Sequence, residues 1–303
     1  ERSFEFGRKQ SVIFPTDRIK ELIHDFHLTK SDFGQGEYPE IIILKGFAEG
    51  GDRKAHYWDK AGYLQYEDDA HTNRMRSELQ QINSWLMTLD IDYEFADKIN
   101  IHNRRLRRYF SCGDTAFISG GRLFGGFWLE ISKRDRNLGL SFNGEDICTL
   151  DYRNLSPTIL YGIKGKIPPS DDGYIVPGFE AYRSGVKKIF NCMLFTDGPL
   201  KKFPKGIKKE FEREHRVLRV TDTILQYHHP IANLLNSQIG HQVQKVESDI
   251  IVYCLLMCIE NAIPALPVHD ALIFPISKKE EGRNIMQSAF RKKMGLRIMV
   301  EED

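Results

Sequence analysis

The chain has 303 residues, 41% of them hydrophobic and 28% charged, with a net charge of +1; this suits one large domain or two intimate subdomains around a sizeable core and excludes a polycation. No apolar run reaches the ~18 residues that a membrane-spanning helix needs, and no charged segment followed by an apolar one opens the sequence as a secretory leader would. The five cysteines are scattered without a C-x-x-C pair, and Cys254 and Cys258 fall four apart in an apolar helical pattern, so packing is their expected role and a reducing cytoplasm the expected setting.

In chain order, "PTDRIKELIHDFHL" (15–28) predicts a short amphipathic helix with Thr16 or Asp17 as its cap. "EIIILKGF" (40–47) predicts a strand. "DDAHTNRMRSELQQINSWLMTL" (68–89) predicts a longer helix, apolar at Met75, Leu79, Ile82 and Leu86, with an exposed arginine face. From 115 to 152 the pattern turns to β-formers and glycine, with a turn at "FNGED", and an antiparallel sheet is expected. Helices follow at about 179–195, over 204–229 and over 242–262, the last mostly buried. Then come the arms "IPALPV" and "ALIFPI", a helix at 280–294 and a strand at 296–302. Two basic clusters, "HNRRLRRYF" (102–110) and "KKFPKGIKK" (201–209), could track a phosphate backbone, although either one taken alone reads first as a solvated face.

The two arms around His269-Asp270 predict a hairpin, its three prolines tolerable at an edge or at strand ends. A carboxylate among so many apolar residues is costly unless something compensates it, and a divalent cation would do so. A second carboxylate, Asp151 in "DICTLDYRN", ends another β-patterned run. Two carboxylates from adjacent strands are the minimum for a two-metal site, whose ions lie ~3.5–4 Å apart and stabilise the attacking and leaving oxygens of phosphoryl transfer. Magnesium suits such hard ligands, completing its shell with water and phosphate. Between them Arg183, Lys187, Asn191 and Phe195 recur at every fourth position and form one stripe of a helix. Cations followed by an amide and an aromatic suit a nucleoside triphosphate; without the two aspartates the stripe would read as an incidental basic face. His269-Asp270 alone also matches the dyad of HD-type phosphohydrolases, but that chemistry uses further His and Asp ligands on helices, and "YHHP" (227–230) lacks the spacing.

Taken together, these residues resemble the palm and fingers of family A nucleic-acid polymerases (DNA polymerase I-like) and, more distantly, single-subunit RNA polymerases. "LDYRNLSPTIL" resembles motif A (D-Y-S-x-x-E-L-R), "RSGVKKIFNCMLF" motif B (R-x-x-x-K-x-x-N-F-G-x-x-Y-G) and "VHDALIF" motif C (V-H-D-E). "QKVESDII" resembles the helix before motif C, and "GGRLFGG" the T-G-R-L segment before motif A. Each motif is weak alone; five in order over about 118–303 are hard to explain by chance.

The resemblance implies an α+β right-hand fold with an antiparallel-sheet palm and helical fingers (115–303, fingers about 170–240). Residues 1–114 match none of its motifs and are expected to form a helical, thumb-like, duplex-gripping part. It implies that Asp151 and Asp270 hold two Mg2+ ions, with Mn2+ as the alternative, and that Lys187 serves catalysis by protonating pyrophosphate. Tyr152, Ser156, Arg183, Lys187, Asn191 and Phe195 would meet the nucleotide. Arg122, Gln244 and His269 would meet the primer–template, and Arg104, Arg105, Arg107 and Arg108 are expected to grip the duplex. His269 reads equally as a hairpin histidine satisfied by a backbone carbonyl.

The chain also departs from the family. Ala271 replaces the glutamate after the motif C aspartate. Ser156 replaces the motif A glutamate that crowds the sugar 2′ position, and Phe195 replaces the motif B tyrosine. The activity implied is template-directed addition of dNTPs to a primer 3′ end; ribonucleotide use as a primase or RNA polymerase, and an idle nucleic-acid-binding relative, are the alternatives. DNA primer–template or an RNA/DNA hybrid, nucleoside triphosphates and a processivity or replisome partner are the expected partners, with no membrane. No exonuclease-like acidic set precedes residue 118, so no proofreading is expected, and so compact a chain fits a phage, plasmid or other mobile element.

Overall fold

The computed structural model describes residues 16–27, 40–46, 62–95, 99–111 and 117–303. Helix α1 (Asp17–Asp25) is capped by Thr16, as its sequence predicts, and buries none of its residues among those described. Strand β1 (Ile42–Lys45) is followed by α2 (Ala70–Thr88), where Asp69 and Thr72 form a reciprocal capping box. The buried face of α2 is Met75, Leu79, Ile82 and Leu86, the stripe its periodicity predicts. Arg76, on the face expected to be free, is tied to Glu40 and Asp68. Strands β2 (Ile91–Tyr93), β3 (Arg107–Ser111) and β4 (Gly120–Phe124) come next, then α3 (Lys133–Gly139), β5 (Leu140–Phe142) and β6 (Ile147–Tyr152). The second half runs α4 (Leu155–Ile163), α5 (Arg183–Phe195), α6 (Val217–Tyr227), α7 (Gly240–Glu260), β7 (Leu266–Val268), β8 (Ala271–Pro275), α8 (Lys279–Met294) and β9 (Val300–Glu302).

Among the described residues the architecture is mixed α+β with three sheets. One has the order β1-β3-β4, with β1 and β3 parallel; a second is the antiparallel pair β2-β5; the third has the order β7-β8-β6-β9 and is antiparallel throughout. The single sheet expected over 115–152 is therefore corrected, since β4, β5 and β6 each find partners outside that segment and fall in three different sheets. Each is a short run with an apolar face that a distant strand covers better than its chain neighbour. The expected boundary at 114–115 falls between β3 and β4, which are hydrogen-bonded neighbours, so sheet pairing crosses it.

The helix expected over 204–229 is also corrected: only Val217–Tyr227 is an α-helix. Upstream, Lys208 Nζ donates to the carbonyls of Glu212 (2.6 Å), Arg213 (3.0 Å) and His215 (2.6 Å). Those acceptors serve an ammonium instead of a helical ladder, and Gly206 turns the chain at a φ of 81°.

The hairpin forms as its sequence predicts. Val268 pairs with Ala271 around His269-Asp270, and His269 takes a left-handed φ of 58°. Strand β7 is a sheet edge, which accommodates Pro267, and Pro275 ends β8. The Pro267 carbonyl accepts from the buried indole of Trp128 (2.9 Å), fixing the hairpin to the rest of the core. Leu272, Ile273 and Phe274 of β8 are fully buried, and α8 packs on this sheet with Gly282 close against the Phe274 ring. Helix α7 packs on β4, α2, α4 and α8 and also meets β7, and so joins two of the sheets.

Candidate active site

The central strand β6 carries Asp151 directly opposite Ala271 of β8, so Asp270 is one residue from the cross-strand partner of Asp151. Alternation along β6 does the rest. Leu150 and Tyr152 point into the core, where the Tyr152 hydroxyl donates to the Met286 carbonyl at 2.7 Å, while Asp151 borders a cleft. That cleft, of about 230 Å³, brings together Arg122, Asp151, Ser156, Lys187, Asn191, Phe195, Gln244 and Asp270. These come from β4, β6, α4, α5, α7 and the β7–β8 turn, so tertiary structure gathers residues spread over nearly 150 positions of sequence.

The Asp151 carboxyl is pushed up from its ordinary 3.8 to about 7, first by burial, then by the charges of Asp270 and Asp303, against the pull of the Tyr152 amide and Lys187. Its Oδ1 is buried without a hydrogen-bond partner. Asn191 Oδ1, in the same cleft, is likewise buried and unpartnered. Two acceptors left bare beside a second carboxylate are what a cation or a donor-rich substrate would satisfy. The pair of carboxylates fits a magnesium-type ion that takes its other oxygens from phosphate and water. Among the described residues no group of three or more His, Cys, Asp or Glu could hold a metal by itself.

One wall of the cleft holds a network that the sequence reading missed. Glu247 of α7, 6% exposed, accepts from Arg122 (Nη2 to Oε2, 2.9 Å) and from the Ser156 hydroxyl (3.3 Å). Burial raises its carboxyl above the ordinary value and Asp270 adds to this, while Arg122 and Ser156 oppose. Tyr174, also buried at the cleft, has its phenol raised by burial. A signal for Glu247 was present: Gly240, Val243, Gln244 and Glu247 follow helical spacing and all border the cleft. Tyr174 lies in a loop and left no such trace. Gly240 has a packing reason, because a Cβ there would lie 2.4 Å from the Phe195 ring.

Several expected placements are corrected. Arg104 (8% exposed) is spent on the backbone, donating to the carbonyls of Ile101, Leu89 and Ile91. Arg108 (2% exposed) pairs with Asp249 at 2.5 Å and donates to the Gly121 carbonyl and Ser248 hydroxyl. Both are structural ties, Arg108 on β3, an inner strand of its sheet, and Arg104 in the segment before it, and neither presents a charge for gripping a duplex. Arg105 and Arg107 are half-buried and lie outside the cleft. Arg183 does not line the cleft either: its Nε donates to Asp172 Oδ2 at 2.6 Å, a buried carboxylate that also holds Arg153 at 3.1 Å. The Tyr152 ring faces the core, although the residue itself borders the cleft. His269 stands outside it with its ring edge-on to Phe124 and makes no hydrogen bond among the described residues, so the carbonyl-satisfied reading is not met. Partial desolvation and the cations Arg122 and Arg136 hold its imidazole below the ordinary value, against Asp270.

No protein-family model matches the chain, and no curated protein is similar to it. Among solved structures, the chain is similar to the POL domain of Pol1 from M. smegmatis in complex with a DNA primer-template and dNTP, at 11% identity and a TM-score of 0.41. The likeness covers 77% of this chain and 51% of that one, so the chain spans about half the length of that relative. No helix among the described residues is long and apolar enough to cross a membrane.

Proposed function

We propose that the chain is a template-directed nucleotidyltransferase that extends a primer 3′ end with nucleoside triphosphates. The observation that carries this reading is the convergence of Asp151, on β6, and Asp270, in the turn before its partner strand β8, on a cleft that also presents Lys187, Asn191, Arg122 and Gln244, with Asp151 Oδ1 left bare. The five motif resemblances, in their order, agree with it.

In this reading Asp151 and Asp270 hold the divalent ions, which supply charge stabilisation for the attacking and leaving oxygens. The primer 3′ oxygen attacks the α-phosphorus, the bond to the bridging oxygen breaks, and pyrophosphate leaves. Lys187 reaches the cleft from the exposed side of α5, over the Tyr174 ring at 5.8 Å, and carries a proton suited to the departing pyrophosphate. Asn191 offers an unsatisfied amide oxygen to a donor on sugar or base. Arg122, held by Glu247, and Gln244, whose Oε1 lies 3.2 Å from the His241 ring, face the position of a primer end. Arg183 would have to leave Asp172 to reach a triphosphate.

Deoxynucleotide use is the first version of the proposal. Ribonucleotide use is the second, and a specific observation favours it: Ser156 is small, and its hydroxyl is engaged by Glu247 at the cleft wall. Primer extension with dNTPs or rNTPs, on DNA and RNA templates with Mg2+ or Mn2+, tests both. Extension with dNTPs supports the first version, efficient extension with rNTPs alone supports the second, and no extension under any combination rejects the reading.

A further inference from the structure

A second concavity, of about 970 Å³, lies beyond the β6–α4 turn, and nothing above uses it. The turn serves both sides: Asp151 and Ser156 border the cleft, Arg153 borders the groove, and Asn154 borders both. One wall is the outward face of α8, where Asn284, Gln287, Ser288 and Arg291 recur at the i, i+3, i+4, i+7 spacing of one helical stripe. The opposite face of α8, including Ile285, Met286, Ala289 and Phe290, is buried in the core.

Three properties define what the groove would accept. Its charge is cationic on balance: Arg291 and Arg297 are exposed, and neither has a carboxylate partner among the described residues; Arg153 is already held by Glu301 and Asp172; and against these the groove is lined by one exposed carboxylate, Asp171. It is apolar along the rim, where Ile167 is 81% exposed and Met299 44%, with Pro168 beside Ile167. Between these lies a line of amide and hydroxyl side chains, able both to donate and to accept. No aromatic ring lines the groove, so it lacks the stacking platform that single-stranded nucleic acid uses.

We infer that this groove docks an extended acidic segment of a partner protein. The free guanidinium groups would pair with its carboxylates, Asn284 and Gln287 with its backbone, and Ile167 and Met299 with alternate apolar side chains. Charge complementarity selects this occupant over a basic or neutral peptide, and the missing rings select it over a stacked single strand of nucleic acid. The inference does not depend on the proposed polymerase activity.

The test is fluorescence anisotropy with a labelled peptide alternating glutamate and leucine, its glutamine counterpart, and oligo(dT), against the wild-type chain and an Arg291→Glu/Arg297→Glu variant. Both substitutions are on exposed side chains, and thermal unfolding checks that the variant is folded. An Ile167→Asp variant tests the apolar rim separately. The expected result is saturable binding of the glutamate peptide, weakened at least about tenfold by the double charge reversal and by added salt, with oligo(dT) binding unchanged. Glutamate-peptide binding that matches the glutamine control, or that survives the double charge reversal, overturns the inference. Loss of oligo(dT) binding in the variant would reassign the groove to nucleic acid. Primer extension by the same variant reports on the polymerase reading independently, since neither arginine belongs to the cleft.

Discussion

Asp151 on β6 and Asp270, in the turn that leads into its hydrogen-bonded neighbour β8, border one cleft, and the charge of Asp270 helps lift the Asp151 carboxyl to about 7. Two like charges placed together at a partly buried position work against folding, so the site should carry a measurable stability penalty.

Asp151→Asn in the metal-free protein tests that penalty. The Asp151 carboxyl is raised from its ordinary 3.8 to about 7, so the folded state binds the extra proton between these values. Stability is therefore lost as pH rises through that window, and the loss is complete above about pH 7. After allowance for partial exposure, the penalty is on the order of 2 kcal/mol. The variant should unfold several degrees higher than wild type at pH 8 in chelator and at the same temperature at pH 4. An identical Tm at both pH values would count against the charge repulsion.

Asp249 predicts the opposite slope. Burial would raise its carboxyl, but Arg108 and Lys245 hold it below the ordinary value. Its contribution is present above the unfolded value near 3.8 and is lost as pH falls through the lower folded one. Wild type should lose stability below about pH 4 more steeply than Asp249→Asn, as read by urea midpoints across pH. Arg108→Met, which leaves Asp249 with Lys245 as its remaining cation, should destabilise by about 1–3 kcal/mol.

Glu247 ties Arg122 and Ser156 into the cleft wall. Glu247→Gln keeps one acceptor oxygen for Arg122 and turns its amide N–H to the Ser156 hydroxyl, which can accept, and should unfold within about 1 kcal/mol of wild type, whereas Glu247→Ala should lose about 1–3 kcal/mol. If Arg122 positions the primer end, both variants should weaken primer–template binding more than triphosphate binding. Nucleotide KM against DNA Kd separates the two effects.

Gly240→Ala would drive a methyl against the Phe195 ring, which borders the cleft. The expected outcome is a raised nucleotide KM with the fold retained, checked by steady-state kinetics beside circular dichroism.

What the sequence disclosed follows from the range of each interaction. The hairpin, α2, α5 and the motif-bearing strand were legible, because turn chemistry and local periodicity specify them within a few residues. The sheet order was not: β6 takes partners more than 100 positions downstream, and β1 pairs with β3 across more than 60 residues. The arginines at 104 and 108 show the same limit from the other side. A basic cluster looks solvated until its burial against Leu89, Ile91 and Asp249 is known. Eight of the expected side chains do meet at the cleft, yet Glu247 among its wall residues was read as part of a motif and given no role. Its spacing from Gln244 was visible, but its ion pair with Arg122, 125 residues away, was not.

Primer extension by wild type and by Asp270→Ala, with dNTPs and rNTPs in saturating Mg2+, tests the central claim most directly. The account predicts template-dependent extension by wild type, reduced at least about a thousandfold in the variant, equivalent to roughly 4 kcal/mol of transition-state stabilisation. Extension that persists undiminished in Asp270→Ala would contradict it.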